Sequence, residues 1–344
     1  EGGIKDFLNE IIDDEKIIND VIYMADKEFK TYTQQRTILE SRGLVIMHPR
    51  TFRDIMLREG YYNVINGYKK HFLAATLPEK YIAGTTFEQL YALYSFDQEL
   101  RTLFMPGLLK IEKHIKALLA YHFSERYGHD DRLYMDINNF NDSTTKNRKR
   151  AAALVQKFNK DLLFYERSGN NAICHYRKEH GYVPLWVANS ILSFGTIQHF
   201  YASMKLSDQQ NVSKHFSLSA SDLNGFLGFL KAFRNVCAHG GRIYTANYSA
   251  NQYGSSLKFI PDTHYHAALC LPRNTSGNFI YGKSDVLALL IAFQIFLKKS
   301  DFTRMRKTFL AKYQSLQKKL PPVVMSNIDR EMGYPTLMLA YLTQ

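Results

Sequence analysis

Cysteine is scarce in this chain. Its 344 residues hold three, Cys174, Cys237 and Cys270. The number is odd and the spacing wide, which excludes a disulfide framework and fits a reducing cytoplasm. Long apolar runs are missing too. The longest, Val286 to Leu297, is interrupted by Gln294, is too short to span a bilayer, and reads as a buried core helix. Nothing resembles a signal peptide, so no membrane partner is expected. The opening Glu1-Gly2-Gly3 has no methionine, as expected of an appended or truncated start. No G-x-x-x-x-G-K-S/T occurs, which removes a P-loop enzyme, and the full nucleophile elbow is also missing. HYHAALC (264–270) and CHYRKEH (174–180) gather His and Cys, the main local case for a metal. Neither has the doubled, evenly spaced ligand pairs of a zinc module, so no metal or other cofactor is expected.

Acidic residues are in deficit. Lys and Arg total 44 against 32 Asp and Glu, a formal charge of +12. Such a balance favours a polyanionic partner such as nucleic acid or an anionic membrane surface. Charge that only aids solubility is the plain alternative. Tyr and Phe number 23 each against one Trp. Most must be core, and exposed tyrosines on a basic surface can stack unpaired bases.

Periodicity predicts a mainly α chain without internal repeats. Residues 5–30 form an acidic helical lead-in, with Ile11, Ile12, Ile17, Ile18, Val21 and Ile22 as apolar positions. Thr33 is a candidate cap for a helix that Gly43 stops, and a helix over 50–59 comes next. Thr85 and Glu88 fit a capping box opening a long helix, with Phe87, Leu90, Tyr91 and Tyr94 on one face. Pro106 is expected to kink or restart it. A polar basic loop, 141–150, leads into a helix to about 167, and another helix begins near Pro184. KFI (258–260) and NFIYG (278–282) are candidate strands. Three parts are expected: an N-terminal helical module over 1–84, a helical core over 85–300 with an insertion at about 244–283, and a basic C-terminal helix and tail over 301–344.

FRNVCAHGGRIY (233–244) closes an apolar helix predicted from about Ser221 to His239, capped by Ser221 or Asp222 and ended by Gly240 and Gly241. Asn235 and His239, four apart, share a face, and Arg234 is long enough to swing toward the same spot. Asn235 can orient the imidazole by a hydrogen bond. A neutral histidine can take the proton of a ribose 2′-hydroxyl as that oxygen attacks phosphorus, and an arginine answers the charge on the phosphoryl oxygens. The products are then a 2′,3′-cyclic phosphate and a 5′-hydroxyl. One histidine cannot be base and acid at once, so two facing copies in a homodimer would complete the site. A histidine at a helix C-terminus also complements the helix dipole, and R-x4-H alone is weak evidence.

RNVCAHGGRIY resembles the R-N-x-x-A-H motif of the HEPN superfamily, many of whose members are metal-independent ribonucleases. More narrowly, the chain is similar to the Abi-like family of bacterial abortive-infection proteins. YTQQRTILESRGL (32–44) resembles its N-terminal helix, and GYYNVINGYKKHF (60–72) its N-Y-Y-x-x-x-G-Y signature with Gly60 in place of Asn. LYSFDQELRTLFMPGLLKIEKHIKALLAYHF (93–123) resembles its F-D-x-x-L-R…I-E block. PLWVANSILSFGTIQHFY (184–201) resembles its W…S-F-G block, and EMGYP (331–335) its closing M-G-F-P.

The resemblance implies a HEPN-type helical bundle with an N-terminal helical module and a small β-containing insertion. It places Arg234, Asn235 and His239 in catalysis, and Arg242 and Tyr244 as a flanking basic and aromatic pair at the RNA. Glu112 is a candidate partner of the arginine, with an i,i+4 pair to Lys116 as the equal alternative. Lys146, Arg148, Lys149 and Arg150 form one basic patch for RNA, and Lys298, Lys299, Arg304, Arg306 and Lys307 another. Tyr61, Tyr62 and Tyr68 either stack bases or pack the N-terminal module. The implied function is a cytoplasmic endoribonuclease of phage defence acting on cellular or phage RNA. The alternative is an RNA-binding module that holds a small noncoding RNA without cutting it at rest.

Overall fold

The computed structural model describes residues 28–246 and 259–333. The lead-in before residue 28, positions 247–258 of the expected insertion, and Tyr334 and Pro335 of the closing motif lie outside them. The described chain is mainly helical. Its helices are α1 Tyr32–Ser41, α2 Pro49–Glu59, α3 Phe87–Tyr127, α4 Asp131–Tyr134, α5 Thr145–Arg167, α6 Asn171–His180 and α7 Leu185–Ala188. They continue with α8 Phe194–Ser203, α9 Leu206–Ser213, α10 Ala220–Ala238, α11 His264–Ala268, α12 Val286–Phe296, α13 Lys299–Gln317 and α14 Pro322–Glu331. None is long and apolar enough to cross a membrane.

Two compact units divide the described residues, 28–61 with 73–87 and 62–72 with 88–333. The first holds α1 and α2 and the molecule's two-stranded sheet. Thr31, not Thr33, caps α1, closing a capping box with Gln34. β1 Leu73–Thr76 pairs antiparallel with β2 Glu79–Tyr81. The core of this unit is Leu39, Phe52, Ile55 and Met56, with Phe52 edge-on to Phe87 at 4.9 Å between ring centres.

The second unit is a helical bundle. α3 runs 41 residues straight through Pro106, so the proline neither ends nor restarts it. Next to it, Gly107 makes room for α12: a Cβ there would stand 2.9 Å from the Phe293 ring. α12 is the buried core helix expected, capped by Asp285, whose carboxylate accepts from the Ala288 amide at 2.9 Å. Complete burial pushes that carboxyl up to about 6. Phe104 joins α3 to Phe293 and to Phe309 of α13. α8 packs on both α5 and α10, and α10 packs on α9 and α12.

Two expectations change. Segment 62–72 and helices α13 and α14 cluster with the large unit and are not separate modules. The paired strands lie at 73–81, and between 259 and 283 only an isolated Arg273–Phe279 bridge occurs among the described residues. Turns at Asn274 and Gly277 hold that bridge, and Pro272 sits beside it, which leaves no run long enough for a ladder.

Candidate functional site

The site grows from the end of α10. Ser219 caps the helix, two residues earlier than the sequence suggests, by accepting from the Asp222 amide at 3.1 Å. Leu223, Phe226, Leu227, Leu230 and Phe233 are buried along its length. His239 is its C-cap residue, at φ −100° and ψ 12°. Gly240 then turns at φ +70°, a conformation that costs a side-chain-bearing residue dearly. The turn closes with the Gly241 amide on the Val236 carbonyl at 2.9 Å. His239 and Asn235 are left exposed.

Beyond the turn, the chain is fixed by a group that sequence reasoning passed over. Asp97 of α3 is fully buried and accepts four hydrogen bonds. Tyr68 Oη donates at 2.7 Å and Arg101 Nη1 at 2.7 Å. The backbone amides of Ile243 and Tyr244 each donate at 2.9 Å. Arg101 Nη1 also reaches the Gly241 carbonyl at 2.8 Å. Burial pushes the Asp97 carboxyl upward, while the Tyr244 amide, Tyr68 and the Arg101 guanidinium favour its charged form. Two residues one helical turn apart thus pin the chain 140 and more positions later. The sequence shows only an Asp and an Arg at i,i+4 between the apolar Leu93, Phe96, Leu100 and Phe104, a spacing that marks a helical pair but not the chain it holds.

Tyr244 belongs to this anchor. It is 1% exposed, stacks on Tyr68 at 5.8 Å between ring centres, and meets His71 edge-on at 5.9 Å. It is a core residue and offers no face to a base, contrary to its expected contact with RNA. Tyr68 is likewise spent on packing and on Asp97. Cys237, inside the motif, has its thiol pushed up to about 12 by burial, which keeps it protonated and unreactive.

Arg234 takes another direction. Five residues turn a helix by about 140° past a full revolution, so Arg234 and His239 leave α10 on different sides. Arg234 Nε lies 3.7 Å from Oε2 of Glu112. The other oxygen of Glu112, Oε1, is 2.9 Å from Lys116 Nζ. Glu112 thus pairs with Lys116 at i,i+4 and lies within ion-pair distance of Arg234. Arg234 Nε and Glu112 Oε2 are buried and neither makes a hydrogen bond. Asn235 makes no side-chain bond to His239.

His239 opens instead onto a cavity of about 440 Å³. One wall is the post-helix turn, His239 to Arg242. Facing it is the segment Tyr62 to Tyr68, and the floor is Tyr94, Gln98 and Arg101 of α3. Arg242 bridges the two walls by donating from Nη1 to the Gly67 carbonyl. Neither Arg234 nor Asn235 lines this cavity. Nor do Lys146, Arg148, Lys149 and Arg150, which lie in the first turns of α5 and not in a loop. Arg150 is partly committed there, donating to the Ala202 carbonyl at 3.2 Å, and the other three are exposed. Lys298, Lys299, Arg304, Arg306 and Lys307 lie at and after the start of α13, also away from the cavity lining.

Among the described residues no three His, Cys, Asp or Glu side chains gather as metal ligands would. His266 of HYHAALC has a structural post. Its Nδ1 accepts from the Thr263 amide at 3.0 Å and its Nε2 meets the Gly282 carbonyl at 2.8 Å.

A family model described as Abi-like protein matches residues 54–245, more than half of the chain. The matched stretch runs from α2 through Asp97 and Glu112 of α3 to the residue after Tyr244. The chain belongs to the Abi-like family, which associates it with abortive infection, a form of defence against phage. No curated protein and no solved structure matches the chain.

Proposed function

We propose that this protein is a HEPN-type, metal-independent endoribonuclease of phage defence. The observation that carries the reading is the R-N-x-x-A-H sequence folded as a helix end, with His239 exposed beside a cavity that holds two arginines and no carboxylate. In this reading His239 takes the proton of a ribose 2′-hydroxyl. The 2′-oxygen bonds to the adjacent phosphorus, and the bond to the 5′-oxygen breaks. A second histidine returns a proton to that leaving oxygen. Guanidinium groups answer the charge on the phosphoryl oxygens.

A homodimer fits this chemistry, because one His239 cannot be base and acid in the same step. The direction of Arg234 supports the same arrangement: its side chain, about 30% exposed and lying near Glu112, points away from its own chain's cavity toward a site that a second chain could complete. That observation also favours the second reading, an RNA-holding resting state in which a small noncoding RNA is bound without being cut.

The test compares wild type with His239→Ala on single-stranded RNA in EDTA, with analysis of the product ends. Cyclic phosphate and 5′-hydroxyl ends that vanish in the variant are expected. Co-purified RNA of one size, with no cutting by wild type, would replace the nuclease with the RNA-holding protein.

A further inference from the structure

We infer that the cavity beside His239 is a subsite that takes one unpaired ribonucleotide and reads its base, an inference that rests on RNA being the substrate of that histidine. Its size, about 440 Å³, falls in the range of about 300–1,000 Å³ in which small-ligand pockets lie. Its lining sorts by chemistry. Asn63, Asn66 and Gln98 bring side-chain amides; Gln98 already donates from Nε2 to the Tyr94 hydroxyl at 2.8 Å, so Asn66, with donor and acceptor together, is the one that best suits the edge of a base. Tyr68 and Tyr94 are buried in its walls, whereas Tyr62 is 77% exposed and alone among the lining aromatics offers a free ring face for stacking.

Charge points to a single phosphate. Arg101 is matched by Asp97 behind it. Arg242 is exposed and bound only to a carbonyl, so one guanidinium charge stands at the rim with no carboxylate in the lining to cancel it. His239 lines the same cavity.

The backbone of the amide-bearing wall is a second, independent observation. Tyr62–Asn66 is a π-helix. Such turns are rare, sacrifice regular hydrogen bonding, and recur at functional sites. Val64 and Ile65 anchor it in the core, and it presents Tyr62, Asn63 and Asn66 together to the cavity.

The experiment titrates the full chain with each of the four nucleoside 3′-monophosphates by calorimetry at low salt. It uses wild type, Tyr62→Ala and Asn66→Ala, and maps the cleavage positions of the same proteins on an RNA of random sequence. Both substituted side chains are exposed, so the fold is expected to survive. Wild type is expected to prefer one or two bases by about tenfold or more. Tyr62→Ala should weaken all binding about tenfold, the scale of one base–aromatic stack. Asn66→Ala should flatten the preference among bases, in binding and in cleavage position alike. Base-selective binding without any RNA cutting would sink the nuclease reading and leave the subsite standing. Cutting with no nucleotide binding, or with a preference that both variants leave untouched, would overturn the subsite alone.

Discussion

Helix α3 carries two buried carboxylates, each with a cation one turn later, and they behave differently. Asp97, with Arg101, has four donors and no vacancy. Glu112, with Lys116, has one oxygen engaged and the other 3.7 Å from Arg234 without a hydrogen bond. Asp97 holds backbone, so the chain after the motif helix has one place to be. Glu112 faces a long side chain across a gap that a small shift would close or widen. A saturated buried carboxylate fixes a structure, and a half-satisfied one leaves an arginine that a substrate or a second chain can recruit.

Removing the saturated carboxylate should have the largest effect. Asp97→Ala strands Arg101 and two backbone amides in the core, and is expected to lower stability by about 3–5 kcal/mol in denaturant unfolding. A loss below about 1 kcal/mol would mean that the anchor is dispensable. Glu112→Ala should cost less, about 1–3 kcal/mol, because Lys116 and Arg234 both keep partial access to water. Its mark should be a coupling of about 0.5 kcal/mol or more with Arg234→Ala in a double-mutant cycle. Strict additivity would show that the two side chains do not sense each other.

Acid should act on the anchored side. Burial holds the His71 imidazole below its ordinary pKa, and Nε2 has no partner to welcome a proton. The unfolded chain therefore takes up that proton first. The stability His71 contributes is complete above about pH 6.5 and is lost as pH falls below it. His266, also lowered by burial, adds to the same slope. Thermal unfolding is expected at lower temperature at pH 5 than at pH 7.5, and His71→Phe should flatten part of that difference. The smallest effect belongs to Lys146→Ala with Lys149→Ala, exposed at the start of α5. Unfolding should change by no more than about 0.5 kcal/mol, which leaves any fall in RNA affinity attributable to charge alone.

How much of this was legible in the sequence depended on the range of the interaction. α10, its stop at Gly240 and the buried α12 follow from local periodicity and turn chemistry. So does the Glu112–Lys116 pair, which needs only helix spacing. Asp97 was not legible as an anchor, since its partners at 243 and 244 are joined to it only by the fold. Tyr244 misled for the same reason: a tyrosine after a basic motif reads as a base stacker until Tyr68 and His71 are seen to enclose it. Segment 62–72 reads as part of the N-terminal module because its turns separate it from α3 in sequence. Its buried Val64, Ile65, Tyr68 and Phe72 belong to the larger core.

The unbroken course of α3 through Pro106 sets a length standard. Asp97 and Glu112 are separated by about 22 Å of rise and come round to within about 60° of each other. Asp97 meets the chain after α10 and Glu112 meets Arg234 within it, so α3 runs against α10 in the opposite sense. One residue inserted or deleted between the two carboxylates would rotate one of them by about 100° away from its partner. Substitutions on the exposed side of this stretch are tolerable in principle, whereas any change in its count puts the two ends of the motif out of phase.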